Sequence, residues 1–257
     1  MDERSASGGG RPRQSYLTPP RAIFDGPTLP LQERDEKKLS AAMPGKFITF
    51  EGGEGAGKST QIKRLAARLE AAGIAVVVTR EPGGTPTAEA IRRMLLSGLA
   101  VELGPDGEAV LFAAARADHV ERVIRPALRA GRWVISDRFT DSTRVYQGVA
   151  GGADDAMLAA LERVAVGRTR PNLTVILDVP VAIGLARAAK RHAATGEAAD
   201  RFERDDAALH EARRAAFLAI AEADAERCVV IDATKAEEAT AEAVWAAVAA
   251  RLLEHAA

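Results

Sequence analysis

Gly52, Gly57, Lys58 and Ser59 stand in the spacing Gly-x-x-x-x-Gly-Lys-Ser, within the stretch EGGEGAGKST at residues 51–60. Glycines this dense let a backbone turn so that successive N–H groups point inward, which suits a phosphate. The positive end of a following helix adds to the attraction. A lysine at 58 reaches the β- and γ-phosphates of a nucleotide, and a hydroxyl at Ser59 ligates Mg²⁺. The expected cradle is Gly52, Gly53, Glu54, Gly55, Ala56, Gly57, Lys58, Ser59 and Thr60. Such a loop identifies a nucleoside triphosphate without saying what is done with it. A guanine-reading Asn-Lys-x-Asp motif is absent from the sequence, which argues against a GTP-dependent switch.

The loop needs a strand before it and a helix after it, and the pattern supplies both. Short β-branched runs occur at FITF (47–50), AVVVT (75–79), WVIS (133–136), LTVIL (173–177) and CVVI (228–231). Each is too short for a helix and reads as a buried parallel strand. Amphipathic stretches lie between them, at Lys58–Ala72 with Ile62, Leu65 and Leu69 in helical spacing, and near 86–97, 108–130, 155–166, 181–193, 205–224 and 236–254. Strand alternating with helix predicts an α/β fold, a five-stranded parallel sheet with helices on both faces.

The remaining composition excludes several classes. The formal net charge of −1 provides no global field toward nucleic acid or an anionic membrane. No apolar run approaches the ~20 residues of a membrane span. Cys228 is the sole cysteine, so an internal disulfide is excluded and a cysteine metal site is not expected; together these features suit a reducing cytoplasm. Residues 1–45 hold six of the twelve prolines and the run Gly8–Gly10, without periodicity. They are expected to be a disordered extension, with the functional chain starting near Met43.

Further stretches act together: TREPGGT at 79–85, LFAAAR at 111–116, SDRFTDSTRVYQG at 136–148 and DRFE at 200–203. With the phosphate loop, and in this order, they resemble the thymidylate kinases, from about Lys46 to the C-terminus. The resemblance implies a P-loop nucleoside monophosphate kinase fold over 46–257, a homodimer, and Mg²⁺-dependent phosphoryl transfer from ATP to dTMP. It implies that Arg138 binds phosphate where donor and acceptor meet, that Asp137 helps hold Mg²⁺, and that Arg92 contacts the dTMP phosphate. Phe112 and Arg116, four apart, share a helix face. On spacing alone the pair also reads as a core phenylalanine beside a snorkelling arginine. The resemblance instead implies that Phe112 stacks on thymine and Arg116 donates to its O4, selecting against cytosine because arginine is donor-only. Thr143, Tyr146 and Gln147 then become base- and sugar-side contacts, with Tyr146 near the sugar C2′. Glu54 accepts from the 3′-hydroxyl, which explains an acid inside a phosphate loop. Glu81 and Pro82 line the acceptor pocket, and Glu81 also approaches the metal.

The loop itself lacks arginine, so the resemblance points to members that supply catalytic arginines from a lid. Residues of about 190–204 are the expected lid, with Arg187, Arg191 and Arg201 as the candidate cations. His119 is read as structural, since an anionic acceptor oxygen needs no strong base, and Asp178 receives no role. A kinase of another nucleoside monophosphate is the alternative. Deleting residues 1–42 is expected to leave phosphoryl transfer intact; a truncated protein that fails to fold would contradict the reading of that segment.

Overall fold

The computed structural model describes residues 45–196 and 201–253. The expected N-terminal extension up to residue 44 and the centre of the expected lid, 197–200, lie outside the described residues.

Five strands form among the described residues: β1 Phe47–Glu51, β2 Val76–Arg80, β3 Trp133–Asp137, β4 Leu173–Asp178 and β5 Cys228–Asp232. All pair in parallel, in the order β2-β3-β1-β4-β5. Between them run α1 Lys58–Ala71, α2 Pro86–Ser97, α3 Gly104–His119, α4 Arg125–Arg129, α5 Thr140–Thr143, α6 Asp155–Val166, α7 Val181–Thr195, α8 Ala207–Ala223 and α9 Glu237–Val248. No described helix is long and apolar enough to cross a membrane.

Central β1 is buried at every position, as a strand covered on both faces must be. Alternation sends its side chains to two cores. Ile48 and Phe50 meet Ile62, Leu65 and Leu69 of α1 and Val244 and Val248 of α9. Phe47 lies in the opposite cluster with Val120, Ile124, Phe139 and Val166, its ring edge-on to Phe139 at 4.9 Å. On that side Ile176 of β4 packs with Phe217 of α8.

Two helical regions differ from expectation. The pattern at 108–130 predicts one helix; the chain instead starts α3 at Gly104 and passes through a π-helical turn, Val120–Ile124, before α4. The stretch after β3 carries no helical periodicity, yet it forms α5 and a π-helical turn, Arg144–Val149. Its side chains divide between a cavity, which Ser142, Thr143, Tyr146 and Gln147 line, and a core, which Val145 enters. Such widened turns occur frequently at functional sites.

The strand register aligns the carboxyl ends that matter: Phe50 and Arg80 both stand beside Asp137, and Glu51 beside Ile176. The chain builds β3 and β2 on one side of β1, then β4 and β5 on the other. Open α/β sheets bind ligands at the carboxyl ends where winding reverses in this way.

The loop after β1 is wedged against its neighbours. A Cβ on Gly55, whose φ is 66°, would lie 1.9 Å from the Gly184 carbonyl oxygen; one on Gly184 would lie 2.4 Å from the Glu54 carbonyl oxygen. In a free helix, Gly→Ala stabilises by about 1 kcal/mol. Gly184→Ala is expected to reverse that sign, destabilising by roughly 1–3 kcal/mol because backbone must shift. Urea denaturation measures it, and a raised midpoint would show that loop and helix are not in close contact.

Candidate active site

The phosphate loop occupies the turn between β1 and α1. Gly57 precedes α1 with φ 92° and offers no side-chain cap. By contrast, α2, α6 and α8 begin with Thr85, Asp154 and Asp206, each accepting from a backbone N–H of the first turn. The start of α1 therefore presents its N–H groups without a side-chain acceptor of its own, the arrangement that suits phosphate. Lys58 is buried and folds back over the loop, its Nζ donating to the carbonyls of Gly52 at 3.0 Å and Gly53 at 2.9 Å. Burial, and then the Arg138 charge, push its pKa down from the ordinary lysine value.

Arg138 follows β3. Among the described residues it is the one non-glycine with positive φ, 70°. This left-handed conformation costs roughly 1–2 kcal/mol. It is held by the Arg138 N–H donating to the Phe50 carbonyl at 2.9 Å and by Ser136 Oγ donating to the Arg138 carbonyl at 2.8 Å. The guanidinium donates to Glu54 at 2.6 Å and to Ser142 Oγ at 3.1 Å, and lies 4.8 Å from the centre of the Tyr146 ring. The Tyr146 hydroxyl donates to the same Glu54 oxygen at 2.7 Å. Burial alone would raise the Glu54 pKa; Arg138, Lys58 and the Tyr146 hydroxyl overcome it and hold the carboxyl at about 2. Glu54 is thus a fixed negative charge between two cations.

A second group lies around Arg116 of α3, which is 4% exposed. Its Nε donates to Glu81 at 2.6 Å, and its Nη2 to the Phe139 carbonyl at 3.1 Å and to Thr143 Oγ1 at 3.0 Å. Nη1 has no protein acceptor among the described residues. Glu81 also meets His119 Nδ1 at 2.9 Å. A carboxylate only accepts, so His119 donates from Nδ1, and its Nε2 meets Thr79 Oγ1 at 2.7 Å. His119, fully buried, is a brace for Glu81. Arg92 on α2 donates to the Pro82 carbonyl at 2.9 Å, after a cis Glu81–Pro82 bond.

One cavity of about 340 Å³ collects these groups. Its walls bring together Glu54, Gly55, Ala56, Gly57, Lys58, Ser59 and Thr60 with Glu81, Pro82, Arg92, Phe112, Arg116, Asp137, Arg138, Thr143, Tyr146, Gln147 and Arg191. Gly52 and Gly53 face a smaller neighbouring cavity. Of the three lid arginines, only Arg191 lines the main cavity, paired with Glu203 at 2.5 Å. Arg187 instead donates to the Ala233 carbonyl at 2.8 Å beyond β5, and Arg201 forms a two-pronged pair with Glu108. Ser59 Oγ donates to Asp137 Oδ2 at 3.1 Å. The third expected metal contact, Glu81, has its oxygens on Arg116 and His119, because a carboxylate this deeply buried must be paired. Among the described residues no group of three His, Cys, Asp or Glu is placed to hold a metal alone.

Sequence reasoning missed several residues of the site. Phe202 lines the cavity with its ring 5.6 Å from that of Tyr146. Ser142 also lines it, and donates to Glu51 at 2.6 Å. Glu51 carries the clearest available signal, an acid at the very end of an otherwise apolar strand. It accepts from the Phe139 N–H at 2.7 Å as well, and so fixes the turn after Arg138. Burial, then the neighbouring Asp141, push the Glu51 carboxyl up to about 7, against the smaller opposing effects of Arg138, Ser142 and Phe139. The folded protein therefore keeps a proton on Glu51 that the unfolded chain releases above about pH 4.5. This group's contribution to stability falls as pH rises from about 4.5 to about 7, by on the order of 3 kcal/mol. Glu54, with its depressed pKa, acts oppositely, losing stability only as pH falls from about 4.5 toward about 2. Glu51→Gln is expected to flatten the melting temperature between pH 5 and 7, as read by thermal denaturation; an unchanged pH slope would contradict the assignment to Glu51.

Known proteins of one family resemble this chain over most of its length. The family model for thymidylate kinase matches residues 50–244. The chain is 58% identical over 209 residues to a thymidylate kinase of Nitrobacter winogradskyi, covering 81% of this chain and 90% of that one. It is 54% identical over 220 residues to a thymidylate kinase of Rhodopseudomonas palustris, covering 85% and 95%. The crystal structure of thymidylate kinase from Ehrlichia chaffeensis superposes with a TM-score of 0.65 at 32% identity, over 80% of this chain and all of that one. The chain belongs to the thymidylate kinase family.

Proposed function

We propose that the chain transfers the γ-phosphoryl group of ATP to dTMP, giving ADP and dTDP and so supplying precursor for DNA synthesis. The observation that carries this reading is the joining in one cavity of a phosphate loop with the Phe112, Arg116 and Thr143 cluster, bridged by Arg138. At the base end, Arg116 is locked at Nε and Nη2, which leaves Nη1 to donate to thymine O4. Cytosine offers a donor there and is refused, since two donors cannot pair. Phe112 stacks on the ring, with Thr143 and Gln147 beside the base. Glu54 accepts from the sugar 3′-hydroxyl, and Tyr146 stands against C2′. Arg92, beside Pro82, and Arg138 take the acceptor phosphate.

At the donor end, the loop N–H groups and Lys58 receive the β- and γ-phosphates. Mg²⁺ suits the hydroxyl–carboxylate pair of Ser59 and Asp137, both hard oxygen ligands, with the phosphates completing its shell. When bound it would neutralise phosphate charge. Arg191, which of the three lid arginines lines the cavity, adds positive charge to the transferring group. The acceptor oxygen is already anionic, so the protein's task is to align two polyanions and screen their repulsion. Transfer is in line and passes through no covalent enzyme intermediate. We place the protein in the cytoplasm as a homodimer; the exposed Leu99, Val101 and Leu103 between α2 and α3 provide apolar surface for a second copy.

An acceptor panel of dTMP, dUMP, UMP, dCMP and dGMP with ATP and Mg²⁺ tests the reading. dTMP is expected to be preferred, and equal turnover of dCMP would overturn the role of Arg116. Arg116→Lys, which keeps a charge for Glu81, is expected to raise the dTMP KM about tenfold or more and to narrow the preference over dCMP. A loss confined to ATP affinity would contradict it. Lys58→Ala is expected to cut kcat by roughly 10²–10³.

A further inference from the structure

Arg213 on α8 is 4% exposed, yet it lies outside the main cavity. Burying an arginine is costly unless its donors are met. Nη1 donates to the Phe202 carbonyl at 3.2 Å and Nη2 to Asp205 at 2.5 Å. The guanidinium carbon is also 4.4 Å from the centre of the Tyr146 ring and 5.9 Å from that of Phe202. One buried cation therefore grips both the Tyr146 wall and the segment Phe202–Asp205.

Each of these two elements leads to a different substrate. Tyr146 donates to Glu54, which holds Arg138, on the acceptor side. The segment holds Arg191 through Glu203, on the donor side. The remaining donor of Arg213, Nε, has no partner among the described residues, nor has Nε2 of buried His210. Both residues line a small cavity of about 20 Å³ together with Glu54, room for one bridging water. The grip on Tyr146 and on the segment thus stands beside a small, mostly apolar pocket, and a shift of either element would disturb the contacts of the shared cation.

We propose that Arg213 is a positioning residue that couples the acceptor wall at Tyr146 to the segment holding Arg191, so that occupancy of one nucleotide site strengthens binding at the other. The proposal rests on the assignment of dTMP kinase activity. Coupling of this kind is reciprocal between the two ligands.

The test is calorimetric titration of the full chain with a non-hydrolysable ATP analogue and Mg²⁺, with and without saturating dTMP. In the unaltered protein dTMP is expected to tighten analogue binding about fivefold or more. In Arg213→Met and Asp205→Asn the tightening is expected to fall below about twofold, with Arg213→Lys between these limits. Asp205 has a side chain 30% exposed, so Asp205→Asn carries the test if Arg213→Met does not fold. A merely structural Arg213 would lower the melting temperature and leave this ratio alone. Full coupling in the folded variants, or none in the unaltered protein, overturns the proposal. Failure of the unaltered protein to bind dTMP would instead overturn the functional reading on which it rests.

Discussion

Like charges repel, and this site gathers six cationic side chains around one cavity. Lys58, Arg80, Arg92, Arg116, Arg138 and Arg191 all contribute to its walls. Each is held by an acceptor that is not substrate: loop carbonyls for Lys58, Glu89 for Arg80, the Pro82 carbonyl for Arg92, Glu81 for Arg116, Glu54 for Arg138 and Glu203 for Arg191. Two polyanionic nucleotides then find their partners already oriented, with little reorganisation left for the moment of reaction. Against the opposing effect of burial, Arg138 and Lys58 depress the Glu54 pKa, and Tyr146 and then Glu54 raise that of Arg138.

The fold serves that constraint by delivering Glu54, Lys58, Glu81 and Arg138 from the carboxyl edge of the sheet, while α2, α3 and α7 bring Arg92, Arg116 and Arg191. Glu54 and Lys58 follow β1, Glu81 follows β2, and Arg138 follows β3. The parallel register brings their origins level with one another. Braces stand behind them. His119 holds Glu81 from α3, and Glu51 holds Phe139 and Ser142 from the end of β1. These braces act on substrate only through their neighbours, by deciding where the contacting groups point.

Much of this was legible in the sequence, and the reasons for the rest are physical. Five β-branched runs separated by amphipathic stretches specify the parallel sheet; burial on both faces imposes the pattern on β1, β3 and β4, while the edge strands β2 and β5 keep it half-exposed. The loop spacing and the REPGGT, FAAAR and DRF stretches mark the residues that meet in the cavity. Periodicity did not reveal the helical turns at 140–149, whose side chains are shared between the cavity and the core rather than arranged in one apolar stripe. It also could not show that Glu81 spends both oxygens on neighbours, that Arg187 and Arg201 are paired away from the cavity, or that Arg213 is buried against Tyr146. Those facts depend on which charges meet across the fold, and sequence spacing does not encode such long-range pairings.

The central claim is that one cavity holds thymine at its Arg116 end and the transferring phosphate at its Lys58 and Arg138 end. A crystal structure of the chain with dTMP, a non-hydrolysable ATP analogue and Mg²⁺ tests it most directly. The account predicts the thymine ring against Phe112, with O4 about 3 Å from Arg116 Nη1 and the dTMP phosphate on Arg138. A thymine ring bound away from Phe112 and Arg116 would contradict it.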